Sequence, residues 1–237
     1  MAETIVPVGH EQVAAGHEPP AEVTHLRHHF ANTDQQLDAS MLGMWTFLIT
    51  EVLFFGGMFT AYAVYRFMYP GAFASTSVYM DIWLGGINTA VLICSSLTMA
   101  MAVRSAQLGL QRPLVLFLIL TMIFGTIFLV IKYVEWHSKW VEHLVPGFNF
   151  QYNEAPQYFH HAQILFFLYF CMTGMHALHM IVGLGLLTYL LIQSIRRVFT
   201  AYYFTPVEMI GLYWHFVDIV WIFLFPLLYL IGFHHPK

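Results

Sequence analysis

The sequence predicts an all-α membrane protein built as a bundle of five transmembrane helices. Three observations predict this fold: 59% of the 237 residues are hydrophobic, only 9% are charged, and long apolar runs follow a polar start. A soluble domain usually carries about 25% charged residues, and a span needs ~20 apolar residues to cross a ~30 Å hydrocarbon core. The net charge of −4 gives no basic surplus, which excludes nucleic acid as a partner.

Residues 1–40 form a polar segment before the apolar runs, and we expect a largely disordered tail there. The segment has no apolar core of the kind that marks a secretory signal. Its five histidines are His10, His17, His25, His28 and His29. Histidine-rich stretches can bind metal, but this spacing fits no defined site.

The apolar runs predict a membrane domain over residues 41–233, followed by a short tail at 234–237. The predicted spans lie at about residues 41–67, 82–103, 113–136, 160–193 and 207–233. The fourth run is long enough for one span with an interfacial approach, but too short for two spans and a turn. Proline and glycine mark the connections, as at Tyr69-Pro70-Gly71.

The placement of lysine and arginine favours a cytoplasmic N-terminus and an external C-terminus. With that topology the two short inner loops hold Arg104, Arg112, Arg196 and Arg197. An odd number of spans places the two termini on opposite sides of the membrane.

Ionisable side chains from three spans are predicted to lie at similar depth. By helical rise, Glu51 lies ~15 Å from the inner boundary, and His179, His215 and Asp218 lie ~21, ~12 and ~16 Å from it. His176 and His179 are three residues apart and share a helix face, as do His215 and Asp218. We therefore expect one buried polar cluster, with Glu51 facing His179 and the other groups nearby. Such a cluster is either a site of proton uptake or a hydrogen bond between packed helices.

Two further groups of residues are predicted to have structural roles, one at the membrane interface and one in helix packing. At the end of the third span, Lys132, Glu135 and Trp136 predict an interface belt in which the charged groups reach the lipid headgroups. Small and polar residues elsewhere predict close helix packing. These packing residues are Asn88, Ser95, Ser96 and Gly183.

Four segments carry motifs that occur together in one known family. Residues 44–55 read MWTFLITEVLFF and residues 87–96 read INTAVLICSS. Residues 173–183 read TGMHALHMIVG and residues 213–223 read YWHFVDIVWIF. In this order they resemble the glutamate helix, the Asn-Thr…Ser-Ser helix, the paired-histidine helix and the C-terminal signature of subunit III of the haem–copper respiratory oxidases. The resemblance covers about residues 41–233.

The resemblance implies a non-catalytic accessory subunit of a proton-pumping terminal oxidase, in its short five-helix bacterial form, in the cell inner membrane. It implies that haem and copper reside in partner subunits, that this chain binds no cofactor, and that structural phospholipid has a place beside it. The implied partners are subunit I as the main contact, subunit II and a small subunit IV. The chain would stabilise subunit I and support proton uptake.

The resemblance also assigns the ionisable residues. Glu51 corresponds to the family's membrane glutamate, His176 and His179 to its paired histidines, and His215 and Asp218 to its C-terminal signature. The longer family form has seven helices and a lipid-filled cleft. This chain begins at the equivalent of the third helix, which suits the shorter bacterial forms and puts the cleft lipids in doubt.

Three other functions fit parts of the sequence. One is an accessory subunit of nitric oxide reductase. Another is a free-standing proton-coupled transporter using Glu51 and Asp218, although the repeated halves and broken helices frequent in transporters are not found. The third is a b-type haem protein in which His176 or His179 pairs with His215. The sequence also leaves open whether the oxidase takes electrons from cytochrome c or from a quinol.

Overall fold

The computed structural model describes residue 30 and residues 33–76, 79–147, 150, 152 and 158–230. The helices in these ranges are α1 (Thr33–Met68), α2 (Pro70–Thr76), α3 (Ile82–Gln107), α4 (Gln111–Val141), α5 (Phe159–Ile195) and α6 (Thr205–Tyr229). All except the short α2 are long and apolar enough to cross a membrane. This confirms the predicted all-α fold with five spans.

Several helices extend beyond the predicted spans. The first helix, α1, already begins at Thr33, because residues 33–40 contain no proline or glycine that would stop it. A short helix, α2, occupies the place of an expected loop, and Pro70 takes its first position, where a missing N–H is tolerated. The histidine-rich part of the predicted tail lies outside the described residues.

Helices α3 to α6 form the packed body of the bundle, and α1 lies at its edge. The α3 helix packs against α4 and α6, and α5 packs against α4 and α6. The α1 helix contacts α5 and α6 but leaves broad apolar faces uncovered, with Leu53 70% and Phe67 88% exposed. In a membrane these faces meet lipid or another subunit.

A tight connection fixes α3 against α4. Gly109 adopts a φ of 69°, a left-handed conformation that glycine reaches without a side-chain penalty. Its N–H donates to the Ala106 carbonyl, and the Leu110 N–H donates to the Ser105 carbonyl. This is the pattern of a helix end that reverses the chain at once. At the other end of α3, the Asp81 side chain accepts two backbone N–H groups of the first turn.

Side-chain hydrogen bonds to carbonyls in the last turns of helices join α1 to α6 and α4 to α5. The Tyr62 hydroxyl on α1 donates to the Leu227 carbonyl on α6 at 2.6 Å. The Gln111 side chain at the start of α4 donates to the Ser194 carbonyl at the end of α5. Carbonyls in the last turn of a helix lack the usual intrahelical partner four residues on, and the Tyr62 hydroxyl meets one of these at Leu227. The Ser194 carbonyl also accepts the backbone N–H of Arg197, so Gln111 is its second donor.

Candidate functional site: polar groups held between the helices

The structure brings Glu51 of α1 and His179 of α5 together near the middle of the bundle. Glu51 Oε2 lies 3.0 Å from His179 Nε2, and the two side chains are 19% and 14% exposed. By helical rise Glu51 lies ~27 Å from the first residue of α1. The pair faces a groove of ≈ 480 Å³ with largely apolar walls, including Phe47, Val182 and Ile210.

The hydrogen bonds of His179 determine how many protons this pair holds. His179 Nδ1 lies 2.8 Å from the Met175 carbonyl oxygen, which only accepts, so Nδ1 carries a hydrogen. A neutral imidazole then has a bare Nε2. The contact with Glu51 is therefore a hydrogen bond only when one further proton resides on Nε2 or on the carboxyl group. The Tyr213 hydroxyl donates to the His179 carbonyl at 3.0 Å and fixes this part of α5 against α6.

The predicted single cluster is divided into two sites by the geometry of α6. His215 and Asp218 share a helix face, as expected, but that face meets α3 rather than Glu51. Ser96 Oγ of α3 lies 2.7 Å from His215 Nδ1. Asp218 is only 2% exposed, and its carboxyl oxygens have no hydrogen bond of ordinary geometry within the described part of the chain. Residues on one helix can reach similar depths and still face different neighbours.

His176 and His179 also separate, although they lie one helical turn apart. His176 is fully buried, and its ring lies against Phe128 and Trp221 at centroid distances of 5.3 and 5.2 Å. Neither of its ring nitrogens has a hydrogen-bond partner among the described residues. The paired histidines thus occupy unlike environments, one among aromatic rings and one beside a carboxyl group.

Lys132 and Glu135, the charged residues of the predicted interface belt, pair with each other inside the bundle. Both are buried, at 2% and 3% exposure, and Lys132 Nζ lies 2.9 Å from Glu135 Oε2. The hydroxyls of Tyr169 on α5 and Tyr229 on α6 each donate to Glu135 Oε1 at 2.7 Å. The lysine reaches a carboxylate within the bundle, so its charge does not need to extend to the headgroups. Trp136 is half-buried and its ring contacts Phe170 of α5.

Lys139 completes this charged network, and sequence reasoning missed it together with Tyr169 and Tyr229. Lys139 Nζ lies 3.5 Å from Glu135 Oε1 and donates to the Tyr79 carbonyl at 3.2 Å. The available signal was spacing, because residues 132, 135 and 139 follow the i, i+3, i+7 pattern of one helix face. A charged helix face at the end of an apolar run can either reach the lipid headgroups or turn into the bundle. The hydroxyls of Tyr169 and Tyr229, which donate to Glu135, show that this face turns into the bundle.

Close packing around Trp214 accounts for two of the predicted packing residues. Its indole N–H donates to Ser95 Oγ at 3.0 Å. A Cβ at Gly183 would lie 2.8 Å from Cζ3 of the ring, and a Cβ at Gly125 would lie 2.8 Å from the neighbouring Cη2. Ser96 instead bonds to His215, and Asn88 is fully buried with its amide unpaired among the described residues.

The described residues contain no group of three or more His, Cys, Asp or Glu side chains that could hold a metal ion. The histidines considered for a haem pair face different neighbours: His179 faces Glu51, His215 faces Ser96, and His176 lies among aromatic rings. The arrangement instead suits holding a proton at Glu51 and His179 and joining helices through buried polar contacts.

Five apolar spans with ionisable groups held between them define a multi-pass α-helical membrane protein. The family model described as cytochrome c oxidase subunit III matches residues 20–233. The chain therefore belongs to the cytochrome c oxidase subunit III family.

Similar proteins come from oxidases with different electron donors. The chain is 31% identical to a cytochrome c oxidase subunit 3 of Thermostichus vulcanus, over 82% of this chain and 88% of the relative. It is 28% identical to a cytochrome bo(3) ubiquinol oxidase subunit 3 of Pseudomonas aeruginosa, over 81% and 85%. It is 32% identical to a haem–copper oxidase subunit I+III of Aeropyrum pernix, over 79% of this chain but only 22% of that longer protein.

Proposed function

We propose that this chain is the accessory subunit III of a proton-pumping bacterial terminal oxidase, in which partner subunits reduce dioxygen to water. It binds subunit I in the cell inner membrane, alongside subunit II and a small subunit IV. Haem and copper belong to the partners, and structural phospholipid lies against the exposed helix faces. The Aeropyrum pernix relative carries both subunit names in one chain, which supports direct contact with subunit I.

The Glu51–His179 pair is the observation that carries a role in proton uptake. The hydrogen bond between Nε2 and Oε2 requires one proton that either side chain can carry. An ionisable pair at this depth is costly in a membrane and is a functional candidate for that reason. The pair is partly exposed at a groove, so it is open to exchange with water or with a neighbouring subunit.

Replacing Glu51 with glutamine tests this role. The Glu51→Gln side chain keeps the size and can still hydrogen-bond to His179, but it cannot take up or release a proton. We expect assembly and haem content to be unchanged, with slower proton uptake or faster inactivation during turnover. Proton uptake and the number of turnovers before inactivation are measured on the purified oxidase in vesicles.

Glu142→Gln is the matched control, because Glu142 is exposed just beyond the end of α4, a helix that does not line the groove at Glu51 and His179. It should leave both measurements at their original values. If Glu51→Gln abolishes assembly, the residue is structural; if both variants behave like the original oxidase, the pair has no part in proton uptake.

A further inference from the structure

A groove between α3 and α6 holds a second set of polar side chains, apart from Glu51 and His179. This α3–α6 groove encloses ≈ 260 Å³, and its lining residues are aliphatic except for three. The three polar residues are Ser96 of α3 and His215 and Asp218 of α6. By helical rise Asp218 lies ~20 Å from the first residue of α6, well within the hydrocarbon depth of a membrane.

Asp218 carries a buried carboxyl group with no cation beside it. Its side chain is only 2% exposed, and no lysine or arginine is among the residues that line the groove. The other ionisable side chains packed near α6 have different neighbours; they are Glu51, Lys132, Glu135, His176 and His179. A charged carboxylate without a counter-ion is very costly at this depth, so the group keeps its proton.

Ser96 is the polar side chain that can connect Asp218 to His215. Its Oγ lies 2.7 Å from His215 Nδ1. It is also close enough to the Asp218 carboxyl group to interact with it, although that contact lacks ordinary hydrogen-bond geometry. A carboxyl group turns easily about its terminal torsion, which would bring its O–H toward Ser96. Because a hydroxyl accepts one hydrogen bond while it donates another, the serine can join the acid to the imidazole.

We propose that Asp218 holds an exchangeable proton that reaches the surface of the α3–α6 groove through Ser96 and His215. In the protonated form, Asp218 donates to Ser96 Oγ, Ser96 donates to His215 Nδ1, and the neutral imidazole carries its hydrogen on Nε2. Release moves the Asp218 proton to Ser96, the Ser96 proton to Nδ1, and the Nε2 proton into the groove. The site is left with one negative charge on Asp218, and a proton arriving at Nε2 restores it by the reverse steps.

His215 is the member of this site that can exchange a proton with the surroundings. Its side chain is half-buried, whereas Asp218 is covered by protein. The Glu51–His179 pair opens to a different groove, which is lined by α1, α5 and α6. The two sites therefore take up and release protons separately, and the proton at Asp218 requires no partner subunit.

Infrared spectroscopy of the purified full chain in detergent tests whether Asp218 keeps its proton. A protonated carboxyl group has a carbonyl stretching band that an ionised one lacks, and the band shifts when its proton is exchanged for deuterium. We expect such a band at neutral pH, lost in Asp218→Asn and kept in Glu142→Gln, whose residue is exposed beyond α4. Persistence of the whole band in Asp218→Asn would overturn the proposal.

Carbon-13 at the aspartate carboxyl gives a readout that does not depend on the folding of a variant. In the otherwise unchanged chain the label should shift the exchangeable band, which separates an aspartic acid from a glutamic acid such as Glu51. If no exchangeable band responds to the label, Asp218 does not hold the proton. A chain that shows no such band but still co-purifies with oxidase subunits would refute this site and leave the proposed function standing.

The rate of deuterium exchange at the Asp218 band tests the route through Ser96. We expect Ser96→Ala to keep the band but to exchange about tenfold more slowly, the factor that corresponds to loss of one connecting hydrogen bond. Ser96→Thr keeps the hydroxyl and should exchange at the original rate. Thr188→Ala is the control, since it removes an exposed hydroxyl that bonds to a carbonyl of its own helix. Unchanged exchange in Ser96→Ala, or equal slowing in Thr188→Ala, would contradict the route.

Discussion

Glu135 is the side chain on which most of the buried polar contacts converge. Its two oxygens meet Lys132, Lys139, Tyr169 and Tyr229, so three helices contribute to one carboxyl group. An ion pair in a low-dielectric interior is costly unless its remaining donors and acceptors are also satisfied. Here the tyrosine hydroxyls supply those additional bonds, which explains how the charges are accommodated between helices.

Glu135→Gln should destabilise the protein strongly, because it leaves two lysines buried without a negative partner. Breaking a buried pair in this way costs about 3–5 kcal/mol. Thermal unfolding of the purified protein in detergent measures the effect. Glu142→Gln is the control, since Glu142 is exposed just beyond the end of α4. Equal melting temperatures for the two variants would show that the network adds nothing to stability.

Depth along a helix follows from the sequence, but the direction in which a residue faces depends on its neighbours. Their similar depth predicted that Glu51 and His179 would face each other, and the structure places the two side chains in contact. The same calculation of depth placed His215 in their cluster, but His215 instead contacts Ser96 of α3. The helix register shows which residues share a face, but not which neighbouring helix lies opposite.

At the scale of helices, α4, α5 and α6 meet around a single tryptophan. Trp214 of α6 lies between Gly125 of α4 and Gly183 of α5, and both glycines leave room for the ring. Its indole N–H reaches Ser95 of α3. One side chain thus sets the spacing of four helices, and the small residues opposite it allow the backbones to approach closely.

Gly183→Ala should destabilise the bundle, and Gly185→Ala should not. A Cβ at residue 183 would lie 2.8 Å from the Trp214 ring, which is enclosed and cannot move aside easily, whereas at residue 185 it would meet nothing within 4 Å. Overpacking of this kind costs about 1–3 kcal/mol. Thermal unfolding in detergent compares the two variants directly. A loss of stability at residue 185 equal to that at residue 183 would contradict the packing described.

The helices themselves could be predicted because their signals are local. Apolar runs of sufficient length and the proline and glycine between them place all five spans. Boundaries were less accurate: α1 and α4 continue with polar and charged residues that a hydropathy argument excludes. The charged end of α4 belongs inside because Tyr169 and Tyr229 lie opposite it, which no local pattern contains.

At the scale of the whole molecule, the arginines support an N-terminus in the cytoplasm. The end of α3 and the start of α4 lie at the same side as the end of α5 in an alternating bundle, which gathers Arg104, Arg112, Arg196 and Arg197 there. Such an excess of basic residues in short loops favours the cytoplasmic side.

Cysteine labelling tests this orientation. In a chain whose Cys94 and Cys171 are replaced by alanine, Leu108→Cys lies between α3 and α4 and His143→Cys lies after α4. A membrane-impermeant maleimide should label residue 143 in intact cells, once the outer membrane is permeable, and residue 108 only after the inner membrane is broken. The reverse pattern would place the N-terminus outside.

The most direct test of the account is gentle detergent purification of the tagged chain, with identification of the co-purifying subunits and a visible spectrum. We predict a stable complex with a haem-containing subunit I, and no haem absorbance from this chain after it is separated from its partners. A chain that purifies alone in active form, or that keeps a haem band once separated, would contradict an accessory subunit whose polar groups serve protons and helix contacts.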